Sequence, residues 1–268
     1  MRFATVALTA LLVLGVSAAR ADQLDDIRQR GTLVCATLGT AEPFSFQDPA
    51  TRQTIGYDVD FCRRIAEHLG VKLELKLLAV EARIPELSQG RVDVVAANLG
   101  YTPERAQQID YSHFYYVGQQ KLLARAGDSI RVANDVGGRR VSTIKGSTSE
   151  LAVRESVPTA QTVTFQDAPS AFLALQQRRV VAFAASEIML VRFRAQLPDG
   201  TLTILEPSLM REPWGIGVRR GEARLLAAVN EALTGMEQSG EAASIFDRWL
   251  GTGSAYHMTR EFRIEPRG

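Results

Sequence analysis

Thr102-Pro103-Glu104-Arg105 sets a hydroxyl residue, a proline and an acid ahead of a guanidinium. Thr102 suits a helix N-cap, Pro103 the first helical position, and Glu104 the positive end of the helix dipole. The run follows an apolar stretch, residues 92–97, and a short loop from Asn98 to Tyr101. Arg105 is therefore expected in the first turn of a helix just past the carboxyl end of a strand, where open α/β sheets bind ligands. A planar guanidinium there grips a carboxylate with two hydrogen bonds, although an isolated arginine is equally well read as a solvated surface residue. Lys145-Gly146-Ser147-Thr148-Ser149-Glu150 repeats the arrangement: a strand ends at Ile144, a glycine permits close backbone approach, and hydroxyl residues lead into a helix whose first amides favour an anion. Ala185-Ser186-Glu187 is a third such strand end, with a plain N-cap as its alternative reading. Opposed across a cleft, Arg105 and the 145–150 run would form a carboxylate site.

Other chemistries find little purchase. Gly146-Ser147-Thr148 is not a nucleophile elbow, and the chain has neither a dinucleotide fingerprint nor a phosphate-binding P-loop. Glu42, Asp58, Asp60 and Glu187 are isolated acids, read as solvated or capping groups. His68, His113, His257 and two cysteines lack ligand spacing, so no metal and no cofactor is expected. A formal net charge of +1 gives no electrostatic footprint for nucleic acid. With 46% hydrophobic and 23% charged residues the composition is that of a globular chain.

The elements that must position these residues follow an exported leader. Met1-Arg2, an apolar run from Phe3 to Val16 and Ala19-Arg20-Ala21 read as a signal peptide cleaved after Ala21, too short in its apolar part to span a bilayer. Its removal leaves 29 Lys and Arg against 30 Asp and Glu, a net charge of −1. Cys35 falls in a strand candidate (33–37) and Cys62 in a helix candidate (59–69) ending at Gly70. An oxidising compartment favours a disulfide between them, the alternative being two buried thiols. Strand 72–78, helix 83–89 and strand 92–97 follow. The alternation resumes at 139–144, 149–156, 162–165, 168–177 and 180–185, with a strand at 214–218 and closing helices at 222–239 and 241–250. This pattern predicts an α/β fold with mainly parallel sheets. Two similar blocks, an extended crossover at 121–124 and a second crossing at 205–213, predict two lobes. Residues 22–118 with 211–251 form one and 119–210 the other, leaving a tail at 252–268. Two connections make a hinge, and the cleft between lobes suits a small ligand.

Gly56-Tyr57-Asp58-Val59-Asp60-Phe61, with Ile65-Ala66 and Leu69 after it, resembles the signature of the bacterial extracellular solute-binding proteins of family 3. Pro43-Phe44-Ser45-Phe46, Arg91-Val92-Asp93, Thr102-Pro103-Glu104-Arg105, Asp110-Tyr111-Ser112 and Gly146-Ser147-Thr148 fall in the family's order, so the resemblance spans roughly residues 30–250. Cysteines in both the first strand and the first helix resemble one branch of the family and strengthen the Cys35–Cys62 expectation.

The resemblance implies a two-lobed periplasmic receptor, expected to be monomeric. It would close around an amino-acid-like solute and deliver it to the membrane permease of an ATP-driven importer. The implied ligand-binding residues are Arg105, Asn98, Gly100, Ser147, Thr148, Ser186, Arg83 and Phe44. Asn98–Gly100, Arg105 and Thr148 would take the α-carboxylate, and Arg83 matches an arginine that holds the side-chain carboxylate in receptors for glutamate and aspartate. Three departures stand out. Ser186 replaces the aspartate that usually holds the α-ammonium, Gly100 stands where a hydroxyl is common, and Ala41 and Val80 replace aromatics that sandwich the ligand side chain. Either Glu187 or another acid substitutes, or the ligand lacks an ammonium group. The departures leave two rivals to transport: a periplasmic enzyme resembling cyclohexadienyl dehydratase, with Glu187 as its acid, and a receptor that signals.

Overall fold

The computed structural model describes residues 22–266; the expected signal peptide, residues 1–21 with its cleavage after Ala21, lies outside the described residues. The chain folds into two α/β lobes around a continuous nine-stranded mixed sheet. At one side Lys72–Leu77, Thr32–Thr37 and Val94–Val95 lie side by side and parallel. At the other, Ala182–Ser186, Arg140–Ile144 and Gln161–Phe165 do the same. Between them run two long antiparallel strands, Ile109–Arg125 and Met210–Arg219, paired from Met210↔Gln120 to Arg219↔Ile109. The first contains the extended run expected at 121–124, and the second begins within the stretch expected to cross at 205–213. Pro213 is tolerated within the second because register shifts follow it at Trp214 and Gly215.

Local chemistry explains several boundaries. Helix Tyr57–Leu69 starts behind Gly56, whose φ of 140° and close approach admit no side chain: a Cβ would lie 2.2 Å from the Phe44 carbonyl oxygen. It ends at Gly70 in the left-handed conformation, as expected of a C-cap. Its inner face carries Cys62, bonded to Cys35 of the first strand across a Cα–Cα distance of 6.0 Å. The disulfide reading holds, and both residues are fully buried. A helix that the sequence reading missed, Gln23–Arg30, is capped by Asp22 and docked by Arg30 and Gln23 on Asp93.

The stretch 39–56 contains a small three-stranded sheet of Thr40–Ala41, Ser45–Gln47 and Thr54–Ile55. The tail after Gly251 returns along the first lobe. Met258 N–H donates to the Leu250 carbonyl, Arg260 meets Glu237, and Phe262 packs edge-on against Tyr116 and Phe246. Among the described residues no helix is long and apolar enough to cross a membrane.

Candidate functional site

Arg105 does not open an α-helix. Residues Arg105–Gln107 make a single 3-10 turn, which the hydroxyl of Thr102 supports by accepting from the Arg105 N–H at 3.1 Å. The turn is short because the long Ile109–Arg125 strand starts two residues later and claims the backbone. The guanidinium nevertheless reaches the Gly146–Thr148 turn. Nη1 donates to the Gly100 carbonyl at 2.8 Å and to Thr148 Oγ1 at 2.7 Å, and Nη2 donates to the Gly146 carbonyl at 2.9 Å. Arg105 thus joins its own lobe's strand-end loop to the helix start of the other lobe.

That helix start is built as expected. Gly146, with φ of 70°, turns the chain out of strand Arg140–Ile144, and a Cβ on it would come within 3.0 Å of the Glu81 Cα in the opposite lobe. Ser147 caps helix Thr148–Ser156, its hydroxyl accepting from Glu150 N–H, and Thr148 is thereby aimed into the cleft. Two further cross-cleft ion pairs, Lys145–Glu81 at 3.0 Å and Arg192–Glu42 at 2.9 Å, lie at the rim.

Arg83 is buried behind Arg105. Its Nε donates to Val80 O at 2.7 Å, and its Nη1 to the Ala97 and Asn98 carbonyls at 2.8 Å each. Its Nη2 faces the other lobe, with Gly146 O at 3.3 Å. Burial, with the neighbouring Arg105 charge, pulls its pKa down to about 9. Asn98 itself takes a left-handed φ of 49°, a conformation asparagine accepts more readily than most residues. Asp58 holds this loop from below, accepting the Asn98 N–H at 3.0 Å and the Tyr115 hydroxyl at 2.7 Å. Burial pushes the Asp58 pKa up to about 7 against those bonds and the Arg83 charge. Asp58 is therefore a buried positioning group rather than the solvated or capping acid of the sequence reading.

The cavity between the lobes is lined by Arg83, Asn98, Ser147, Thr148 and Ser186 together with Glu212 and Trp214. Arg105 closes one end of it by donating to Thr148 Oγ1 and to the Gly100 carbonyl. Phe44 is not in the lining. It is fully buried in the first lobe's core, where its ring packs 4.7 Å from that of Trp214, because the Pro43–Phe44 segment supports the start of helix Tyr57–Leu69. Ser186 precedes helix Glu187–Arg194 but does not cap it, and its buried hydroxyl has no partner. The amide atoms of Asn98 are likewise buried and unpartnered. Glu187 faces Lys121 at 2.9 Å, outside the cavity lining.

Sequence reading missed Glu212. It is buried on the second crossing strand, and its Oε2 accepts from Gln120 Nε2. Ser149 donates to the oxygen of the same amide at 2.6 Å, which turns the Gln120 amide nitrogen toward Glu212. Burial raises the Glu212 pKa, opposed by Thr148, Trp214, Arg105 and Gln120. The only signals for it in the sequence were indirect: a cleft acid absent at 186 and a side chain absent at 100.

Known proteins share most of this architecture. The model of the bacterial extracellular solute-binding proteins, family 3, matches residues 33–252. The L-cystine-binding protein TcyJ of Escherichia coli (strain K12) is 29% identical over 230 residues, covering 85% of this chain and 86% of the relative. Among solved structures, an ancestral arginine-binding protein bound to arginine superposes with a TM-score of 0.78 at 34% identity, over 83% of this chain and 99% of that one. The ancestral amino acid-binding protein AncCDT-1, a precursor of cyclohexadienyl dehydratase, does so with a TM-score of 0.77 at 30% identity, over 86% and 100%. The chain belongs to the bacterial extracellular solute-binding proteins of family 3.

Proposed function

We propose that this protein is the exported receptor of an amino-acid importer of the ATP-driven class. It acts as a monomer in the periplasm after cleavage behind Ala21, closing around one small amino acid or amino-acid-like carboxylate and passing it to a membrane permease. The lobes of this reading are residues 22–118 with 211–251, and 119–210. The observation that carries it is the fork of Arg105, which bridges the two lobes onto Thr148 Oγ1 and the Gly146 carbonyl. A carboxylate at that seam engages both lobes at once, so binding and closure are the same event. Arg83 supports a preference for acidic side chains. Its Nε and Nη1 are anchored on lobe-one carbonyls while Nη2 faces across the cavity.

Glu187, the acid named for the enzyme reading, pairs with Lys121 outside the cavity lining, which favours the receptor reading. The neighbour named as a dehydratase precursor is itself called an amino acid-binding protein. A thermal-shift screen of the mature protein against the L-amino acids and small dicarboxylates tests the proposal, because a ligand of the folded form raises Tm by mass action. A rise with an amino acid supports it, and no rise with any of them refutes it. Loss of affinity for glutamate or aspartate in Arg83→Ala is expected of the acidic preference, and unchanged affinity for the best ligand rules that preference out.

A further inference from the structure

The cavity pairs two arginines, Arg83 at its back and Arg105 at its end, with a single carboxylate among its lining residues, Glu212. Glu212 is 2% exposed. A buried acid on a sheet strand is costly unless something compensates it, and the surroundings of Glu212 are arranged to keep it in place. Ser149 fixes Gln120, and Gln120 donates to Oε2. The other oxygen sits over Gly100: a Cβ at residue 100 would lie 2.1 Å from Oε1 and 2.6 Å from Thr148 Oγ1. The strand-end loop is held there by its own pairing to the crossing strand, with Tyr101 N–H on the Pro213 carbonyl at 2.8 Å. Glycine at 100 is thus the steric complement of glutamate at 212.

We infer that Glu212 is the specificity carboxylate that receives the ligand's α-ammonium in place of the missing acid at Ser186, so that the cleft takes α-amino acids and rejects carboxylates lacking that group. An ammonium brings three N–H donors. The same cavity offers the Glu212 carboxylate, the unpartnered Ser186 hydroxyl and the unpartnered Asn98 amide oxygen to receive them. Arg105 and Thr148, which also face Glu212, adjoin it, so a ligand carboxylate exchanged for the contacts they make now would place a zwitterion's two charges against opposite signs.

This inference rests on the amino-acid receptor reading, and titration calorimetry at pH 7.5 separates the two. The probes are L-glutamate, L-glutamine and L-arginine, each beside its counterpart lacking the α-amino group. The wild-type protein is expected to bind at least one of the amino acids and to prefer it strongly over its counterpart. Glu212→Gln should weaken that amino acid by about 30-fold or more while leaving the counterpart unchanged or tighter, so that the preference collapses. Adding Ser186→Asp to this variant should restore it. If Glu212→Gln does not fold, Gly100→Ser, which displaces the carboxylate by occupying its space, must produce the same collapse. A preference that survives either folded variant overturns the role of Glu212 and leaves the receptor reading intact. An equal gain for both members of a pair shows that Glu212 merely occupies the anion subsite, and overturns the role as well. Where none of the three amino acids binds, the L-amino acid found by the thermal-shift screen and its counterpart take their place, and binding of no member of that screen by the wild-type protein overturns the receptor reading and this inference with it.

Discussion

Asp58 allows a quantitative test of how the cleft floor is built. Its carboxylate is fully buried at the start of helix Tyr57–Leu69 and receives the Tyr115 hydroxyl and the Asn98 N–H. Burial pushes its pKa up to about 7, whereas an aspartate in the unfolded chain titrates near 3.9. Between these values the folded protein keeps a proton that the unfolded chain has released. The contribution of Asp58 to stability therefore falls as pH rises through this window and levels off above it. At roughly 1.4 kcal/mol per pKa unit, the loss between pH 4.5 and 7.5 is about 3 kcal/mol. Other groups titrate over the same range, so the quantity to measure is a difference. Urea unfolding of the wild type and Asp58→Asn at several pH values, extrapolated linearly, should give a wild-type-minus-variant stability that declines by about 3 kcal/mol across the window. A difference that stays flat would refute the burial-driven shift. One that rises with pH would place a compensating cation at Asp58 stronger than the Arg83 neighbour described here.

Replacing Arg105 by Lys removes the planar fork, and an ammonium cannot reach Thr148 Oγ1, Gly100 O and Gly146 O together. Calorimetry should record a loss of ligand affinity of tenfold or more, with little change in the Tm of the ligand-free protein. The double variant Cys35→Ser/Cys62→Ser opens a link between residues 27 apart and should lose about 3 kcal/mol in urea unfolding; the oxidised wild type treated with reductant under denaturing conditions should match it. Ile264→Ala tests the tail: this side chain is buried against the first lobe's core, and its truncation should cost about 2–3 kcal/mol. A neutral result would mean that the tail is not docked in solution.

The alternation of apolar strands with helical segments made the parallel halves of the sheet legible, and Gly70, Gly146 and Ser147 could be placed at their turns because their roles depend on neighbours within a few residues. The crossing strands were harder. Residues 110–117 are a cluster of aromatics and polar groups with no clean alternation, and they become a strand only because Met210–Arg219, some hundred residues away, pairs with them. That same long-range pairing buries Glu212, which in sequence is an acid between Arg211 and Pro213 with every mark of a surface turn. Asp58 misled in the same way: first-turn acids on helices are usually solvated, and only the packing of Tyr115 and the 98–100 loop over it takes it out of water. Arg105 reaches the Gly146–Thr148 turn, yet not from the expected helix, since Thr102 and Pro103 describe how a helix starts but not how soon the next strand ends it.

The contacts across the cleft differ greatly in what they contribute. Lys145–Glu81 and Arg192–Glu42 are partly exposed pairs of flexible side chains, and such pairs contribute about 0–1 kcal/mol each. Arg83 and Arg105 instead donate to a backbone carbonyl and a buried hydroxyl, where hydrogen bonds from charged groups are worth about 1.5–3 kcal/mol. Closure therefore hangs on one corner of the interface, the Gly146–Thr148 turn. A ligand can shift an equilibrium between open and closed forms only by the contacts it makes in one and not the other. On the proposed reading a carboxylate bound at that corner would add to the set of contacts that joins the lobes, and the rim ion pairs would contribute little. On that reading Arg105 governs closure, whereas discrimination among closed-cleft ligands falls to Arg83 and to the side chains on the crossing strands.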